Sequence, residues 1–154
     1  MPIECFSHIA IRVSDVSRSR RFYRDVLGFR ELTELSIEGG PTALLLGEPG
    51  VKLDAVFLER EGTRVELQQI DSAGADERAG FVRMGLAHIA LRVRNLELVT
   101  AEAVAAGGSV LEQSYFRHAE LGSQVVFVTD PDGTYIELIE APGDPGQPPG
   151  TPIG

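Results

Sequence analysis

Residues 5–13, CFSHIAIRV, alternate with period two: Phe6, His8, Ala10 and Arg12 fall on one face, and Ser7, Ile9, Ile11 and Val13 on the other. This is the pattern of a strand with one apolar face. The next stretch, SDVSRSRRFYRDVLG, changes to helical spacing at Val16, Phe22, Tyr23, Val26 and Leu27, with Ser14 or Asp15 able to cap its start and Gly28 its end. The same order returns later in the chain. LAHIALRV reads as a strand, and RNLELVTAEAVAAGG as a helix capped by Asn95 and stopped by Gly107 and Gly108.

Each helix is followed by β-rich sequence: FRELTELSI, KLDAVFLER and TRVELQQI in the first half, and SVLEQSYF, SQVVFVTD and TYIELIE in the second. The turns REGT and DPDGT precede the two closing strands and carry the residues that tight reversals favour. Both halves therefore read β-α-β-β-β, an α+β fold in two modules. The predicted organisation is a first module over 1–72, a linker over 73–83, a second module over 84–141 and a mobile Pro/Gly tail over 142–154. The first half also carries an insertion, EGGPTALLLGEPGV, in which Pro41 can start and Gly47 can end one or two helical turns, as a lid or packing loop.

Composition narrows the function classes. The chain has 154 residues, and no apolar run approaches the roughly 20 needed to cross a bilayer. Its start lacks the basic, apolar and small-residue series of an export signal, so a cytoplasmic location is the default. The single cysteine, Cys5, has no partner for a disulfide or a zinc knuckle and reads as packing. With 14 basic and 23 acidic residues the formal charge is −9, which disfavours nucleic acid as a partner.

The repeat also duplicates polar groups. His8 and His88 stand 80 residues apart at the head of matching strands, and Glu66 and Glu137 stand 71 apart within TRVELQQ and TYIELIE. Alternation sets Arg64, Glu66 and Gln68 opposite Val65 and Leu67, and sets Tyr135, Glu137 and Ile139 opposite Ile136 and Leu138. Each acid thus takes the face that does not pack under the helix. If a pseudo-twofold axis relates the modules, the four side chains converge, and two imidazoles with two carboxylates suit one divalent cation. Any one of the four alone also reads as an ordinary strand residue; the joint register points to metal. His118, in YFRHAELG, has no counterpart in the first half and reads as a loop or surface histidine.

The segments HIAIRVSDVSRSRRFYRDVLGF, TRVELQQ, MGLAHIALRV and DPDGTYIELIE, which span most of residues 6–140, resemble the vicinal oxygen chelate superfamily. That superfamily includes glyoxalase I, methylmalonyl-CoA epimerase, extradiol dioxygenases and the fosfomycin and bleomycin resistance proteins. The resemblance implies paired βαβββ modules in an open, cup-shaped mixed sheet around one divalent ion (zinc, nickel, cobalt, manganese or iron), usually in a homodimer. It carries ligand roles onto His8, Glu66, His88 and Glu137. A His, Glu, His, Glu set in two modules is closer to glyoxalase I and the epimerases than to the extradiol dioxygenases, which have more modules and a His, His, Glu iron site. Arg12 stands where glyoxalase I has an arginine that helps hold glutathione, whereas Ile70 replaces its usual asparagine. Methylmalonyl-CoA epimerase normally has glutamine in place of Glu66.

The activity so implied is that of a metal-dependent isomerase, epimerase or glyoxalase-type lyase acting on a small carbonyl compound with a vicinal oxygen. The alternatives are an iron-dependent dioxygenase and a non-catalytic, ligand-sequestering protein. Proton removal next to a carbonyl makes an enolate that a chelating divalent ion stabilises, and an adjacent carboxylate, Glu137 or Glu66, serves as base. Arg12 and Arg92 share the histidine-bearing faces and can either receive an anionic group or pair with a neighbouring glutamate. Gln68 and Tyr135, on the acid-bearing faces, are further candidates for substrate contact.

Overall fold

The computed structural model describes residues 7–38, 52–71, 86, 88–119 and 122–143. Cys5, the insertion from residue 39 to 51, the linker and the tail beyond residue 143 lie outside the described residues. The chain forms two compact units, Met1–Asp76 and Glu77–Gly154, and the division falls inside the predicted linker.

The first unit runs β1 (Ile9–Arg12), α1 (Val16–Asp25), β2 (Arg30–Glu38), β3 (Lys52–Arg60) and β4 (Thr63–Asp71). The second runs β5 (Ile89–Arg92), α2 (Leu96–Ala105), β6 (Ser109–His118), β7 (Ser123–Thr129) and β8 (Tyr135–Glu140). Each builds one mixed sheet, in the orders β1-β4-β3-β2 and β5-β8-β7-β6. The first strand of each lies parallel to the last, and the remaining pairs are antiparallel. The α+β, β-α-β-β-β reading of both halves therefore holds. The backbone of His118, expected as a loop or surface histidine, ends β6 and pairs with Ser123.

Local chemistry explains the helix limits. Asp15 Oδ1 accepts the N–H of Arg18 at 2.8 Å, and Asn95 Oδ1 accepts that of Leu98 at 2.9 Å, so each first turn has a side-chain acceptor for an otherwise orphaned donor. The first helix ends because Gly28 takes φ +70° while Phe29 N–H reaches back to Tyr23 O at 3.0 Å. Gly107, at φ +93°, does the same for α2. A second tie at each helix start comes from the closing strand: Gln69 Oε1 accepts from Val16 N at 2.8 Å, and Glu140 Oε2 from Leu96 N at 2.7 Å.

Those two ties also establish which sheet face carries the helix. Val65, Leu67 and Gln69 share it in β4, as do Ile136, Leu138 and Glu140 in β8. The apolar members are buried beneath the helices, joined in the first unit by Phe22, Tyr23, Val56 and Leu58 and in the second by Ala103, Val126 and Val128. Burying each large side chain contributes roughly 1.5–3 kcal/mol, so the one-residue slip that would turn these faces outward is strongly disfavoured. The acids at Glu66 and Glu137 are held on the other face by the same register.

Candidate metal centre

In the first unit Ala10 and Phe57, on the strands flanking β4, both pair with Glu66. His8 precedes Ala10 by two residues and projects from the same face. Its Nε2 lies 3.1 Å from Glu66 Oε2, and its ring meets Phe57 edge to face, with centroids 5.2 Å apart and planes at 86°. The second unit repeats the arrangement. Ala90 and Phe127 both pair with Glu137, His88 Nε2 lies 3.3 Å from Glu137 Oε2, and the His88 ring stands 5.1 Å from Phe127, again at 86°. The duplication extends from strand register to side-chain geometry.

In each pair an imidazole nitrogen faces a carboxylate oxygen, a contact that requires a proton or a cation between them. Donors bound at about 2.1 Å to one ion, in octahedral or tetrahedral geometry, stand about 3.0–3.4 Å apart, which spans both separations. Nitrogen and carboxylate oxygen together suit divalent zinc, nickel, cobalt, manganese or iron. The residues present therefore fit such an ion. Among the described residues no group of three or more His, Cys, Asp or Glu side chains is positioned to hold a metal, so each unit brings together two of the four predicted ligands.

The two pairs differ in their surroundings. Ser7 Oγ lies 3.0 Å from His8 Nδ1, whereas the sequence has Ala87 before His88. Gln68 Nε2 donates to Glu66 Oε2 at 2.8 Å, and Ile139 takes the matching place in β8. The Glu66 side chain is 8% exposed and that of Glu137 23%.

The predicted substrate-contact residues also diverge. Arg92 Nη2 donates to the carbonyls of Ala141 at 2.9 Å and Pro142 at 3.2 Å, fastening the chain as it leaves β8. Arg12 is exposed at the end of β1, beside Gln68 in register. Tyr135 is half-buried at the start of β8 opposite Thr129. Sequence reasoning missed Phe57 and Phe127 beside the histidines, although KLDAVFLER and SQVVFVTD each carry a phenylalanine in the strand before the acid.

The second unit also has a groove of about 1050 Å³ between α2 and the sheet, lined in part by Leu96, Thr100, Val104, Tyr115 and Val126. It lies on the helix side and does not include His88 or Glu137. Thr100 stands where, in the first unit, Arg20 bridges Glu31 and Glu34.

Comparison with known proteins agrees with this architecture. A family model described as the Glyoxalase/Bleomycin resistance protein/Dioxygenase superfamily matches residues 6–138. The chain belongs to that superfamily. Among curated members, it is 35% identical over 137 residues to a protein named lactoylglutathione lyase from Haemophilus influenzae, covering 86% of this chain and 90% of the relative. A probable lactoylglutathione lyase from Synechocystis is 31% identical over 134 residues, covering 86% and 92%. A crystal structure of a glyoxalase family protein from Bacillus cereus superposes with a TM-score of 0.79 over 93% of this chain and 97% of the other; at 16% identity it speaks to the fold alone. No helix among the described residues is long and apolar enough to cross a membrane.

Proposed function

We propose that this superfamily member is a metal-dependent, glyoxalase-type lyase that moves a proton next to a carbonyl, with a thiol conjugate of an α-hydroxy carbonyl compound as the substrate class. The observation that carries this reading is the repeated His–Glu pair, 3.1 Å in one unit and 3.3 Å in the other. It is supported by the relatives named lactoylglutathione lyase, which match along most of their own length. In this reading His8, Glu66, His88 and Glu137 hold one divalent ion, and a homodimer is the working assembly.

When bound, the ion would supply the electrophile that stabilises enolate charge on the carbonyl oxygen and its vicinal neighbour. The remaining work belongs to the chain. One carboxylate, Glu137 or Glu66, takes the proton from the hydroxyl-bearing carbon beside the carbonyl and returns it to the carbonyl carbon, while the hydroxyl proton passes to the former carbonyl oxygen, so that the product is an isomer and the carboxylate ends as it began. His8 and His88 keep their ring planes through contact with Phe57 and Phe127. Arg12 receives an anionic group of the conjugate. Carboxylates at equivalent places in the two units also favour a second reading, epimerisation, in which the proton leaves one face of a carbon and returns to the other.

The test is stripping with a chelator, reloading with a single metal, and assay against hemithioacetals of small α-ketoaldehydes in deuterated water. The expected result is about one ion per chain, with turnover and deuterium incorporation lost in Glu137→Gln at unchanged metal content. Deuterium exchange into the starting compound with inversion would favour the epimerase. Oxygen uptake with iron would favour a dioxygenase, and ligand binding without metal uptake would leave a sequestering protein.

A further inference from the structure

We infer that Gln68 is a positioning residue that holds Glu66 as the stationary carboxylate of the site; the inference rests on the metal-site reading above. The Gln68 amide donates at 2.8 Å to Glu66 Oε2, the same oxygen that lies 3.1 Å from His8 Nε2. This oxygen thus faces the Gln68 amide and His8 Nε2, on a side chain only 8% exposed. When the imidazole nitrogen turns its lone pair to an ion, the amide still holds the carboxylate, which keeps its orientation while ligands arrive and leave.

The second unit supplies an internal control. Gln68 pairs with Arg12 and Ala55, and Ile139 with Arg92 and Val125, so both occupy the same place in the same strand frame. Ile139 has no polar atom. Glu137 has the His88 contact at 3.3 Å, no amide two residues on, and a side chain 23% exposed. The two His–Glu pairs share strand register and ring contacts but differ at Gln68 against Ile139 and at Ser7 against Ala87; Gln68 is the one of these that bonds a glutamate, so it makes Glu66 the fixed member and leaves Glu137 without that tie.

The test replaces Gln68 by methionine, which keeps length and bulk but removes the N–H, with Ile139→Met as control. Cobalt affinity is read by chelator competition and the visible spectrum of the cobalt-loaded full chain, with thermal melting as the fold check. Gln68→Met is expected to weaken cobalt binding about 10- to 100-fold and to change the spectrum, while Ile139→Met leaves both as in wild type. Gln68→Asn, whose shorter amide falls short of Glu66, is expected to lose affinity as well. It also serves as the working variant if the methionine variant does not fold. Wild-type affinity and spectrum in the Gln68 variants would overturn the positioning role and leave the metal site standing. Equal losses in Gln68→Met and Ile139→Met would overturn it in favour of packing. A wild-type chain that binds no cobalt would overturn this inference and the metal-site reading together.

Discussion

Gln69 accepts the backbone N–H of Val16 at 2.8 Å, and Glu140 accepts that of Leu96 at 2.7 Å, so the closing strand of each unit caps that unit's helix. The bond joins residues 53 apart in one case and 44 in the other. It holds each helix start against the strand that carries Glu66 or Glu137 on its other face. Replacing Gln69 or Glu140 by alanine leaves a part-buried N–H without its partner and is expected to cost about 1–2 kcal/mol. Glu140→Gln keeps the acceptor and is expected to cost less than half as much. Urea midpoints at neutral pH check both.

Gly28 is expected to cost stability on replacement by alanine, through its left-handed backbone first. It sits at φ +70°, and a Cβ there would meet the Arg60 guanidinium, which itself donates to the Leu27 carbonyl at 2.6 Å and closes the end of α1. Gly28→Ala adds left-handed strain to that clash and is expected to cost about 2 kcal/mol, read from thermal or urea unfolding. Recovery of stability in Gly28→Ala combined with Arg60→Ala would assign the larger share to the clash.

The two-module fold was legible because its signals are local and occur twice: the period-two strands, the Asp15 and Asn95 caps, and the REGT and DPDGT turns all lie in short windows. The faces that carry the acids were legible for the same reason, since alternation alone puts Glu66 opposite Val65 and Leu67. What remained hidden depends on side-chain reach between strands. Nothing in QQI announces that Gln69 turns to the helix while Gln68 turns to Glu66, and nothing in LRV announces that Arg92 seeks the carbonyls of Ala141 and Pro142. Register decides the first, and the path of the chain after β8 decides the second.

The turn between β3 and β4 is open to improvement. Arg60 pairs with Thr63, and both central residues, Glu61 at φ 52° and Gly62 at φ 82°, are left-handed, as a type I′ hairpin requires. Glutamate is a poor resident of that conformation. Glu61→Asn or Glu61→Gly is expected to stabilise the protein by about 0.5–1 kcal/mol, seen as a higher urea midpoint with an unchanged slope.

Glu59 braces the same turn and gives it a pH dependence. Its Oε1 accepts the Gly62 N–H at 2.7 Å and its Oε2 faces Arg30 at 2.8 Å; the backbone N–H first, and the guanidinium second, hold its carboxyl below the ordinary range. The unfolded chain binds the proton more readily, so this contribution is complete above the ordinary glutamate value of about 4.3 and is lost as pH falls through the folded value. Stability is expected to decline below about pH 4.5 in wild type, and to decline less steeply in Glu59→Gln. Denaturant midpoints at pH 7 and pH 3 measure the difference; an unchanged acid limb in the variant would exclude Glu59 as a contributor.

The matching geometry of the two His–Glu pairs carries its own expectation. His8 and His88 meet their glutamates at 3.1 and 3.3 Å and their phenylalanines at 5.2 and 5.1 Å, so neither imidazole has a clear geometric advantage as a ligand. If both bind one ion, His8→Ala and His88→Ala should each remove a similar share of the affinity. The double variant should then lose little more than either single one, because an ion that has lost one of its few protein ligands is already weakly held. If instead each unit bound an ion of its own, wild type would take up two per chain and each variant would lose one. Metal content and chelator competition on the three variants separate these outcomes. Both substitutions fall at partly exposed side chains, 33% and 32%, so the fold is expected to survive them with a change of less than about 1 kcal/mol.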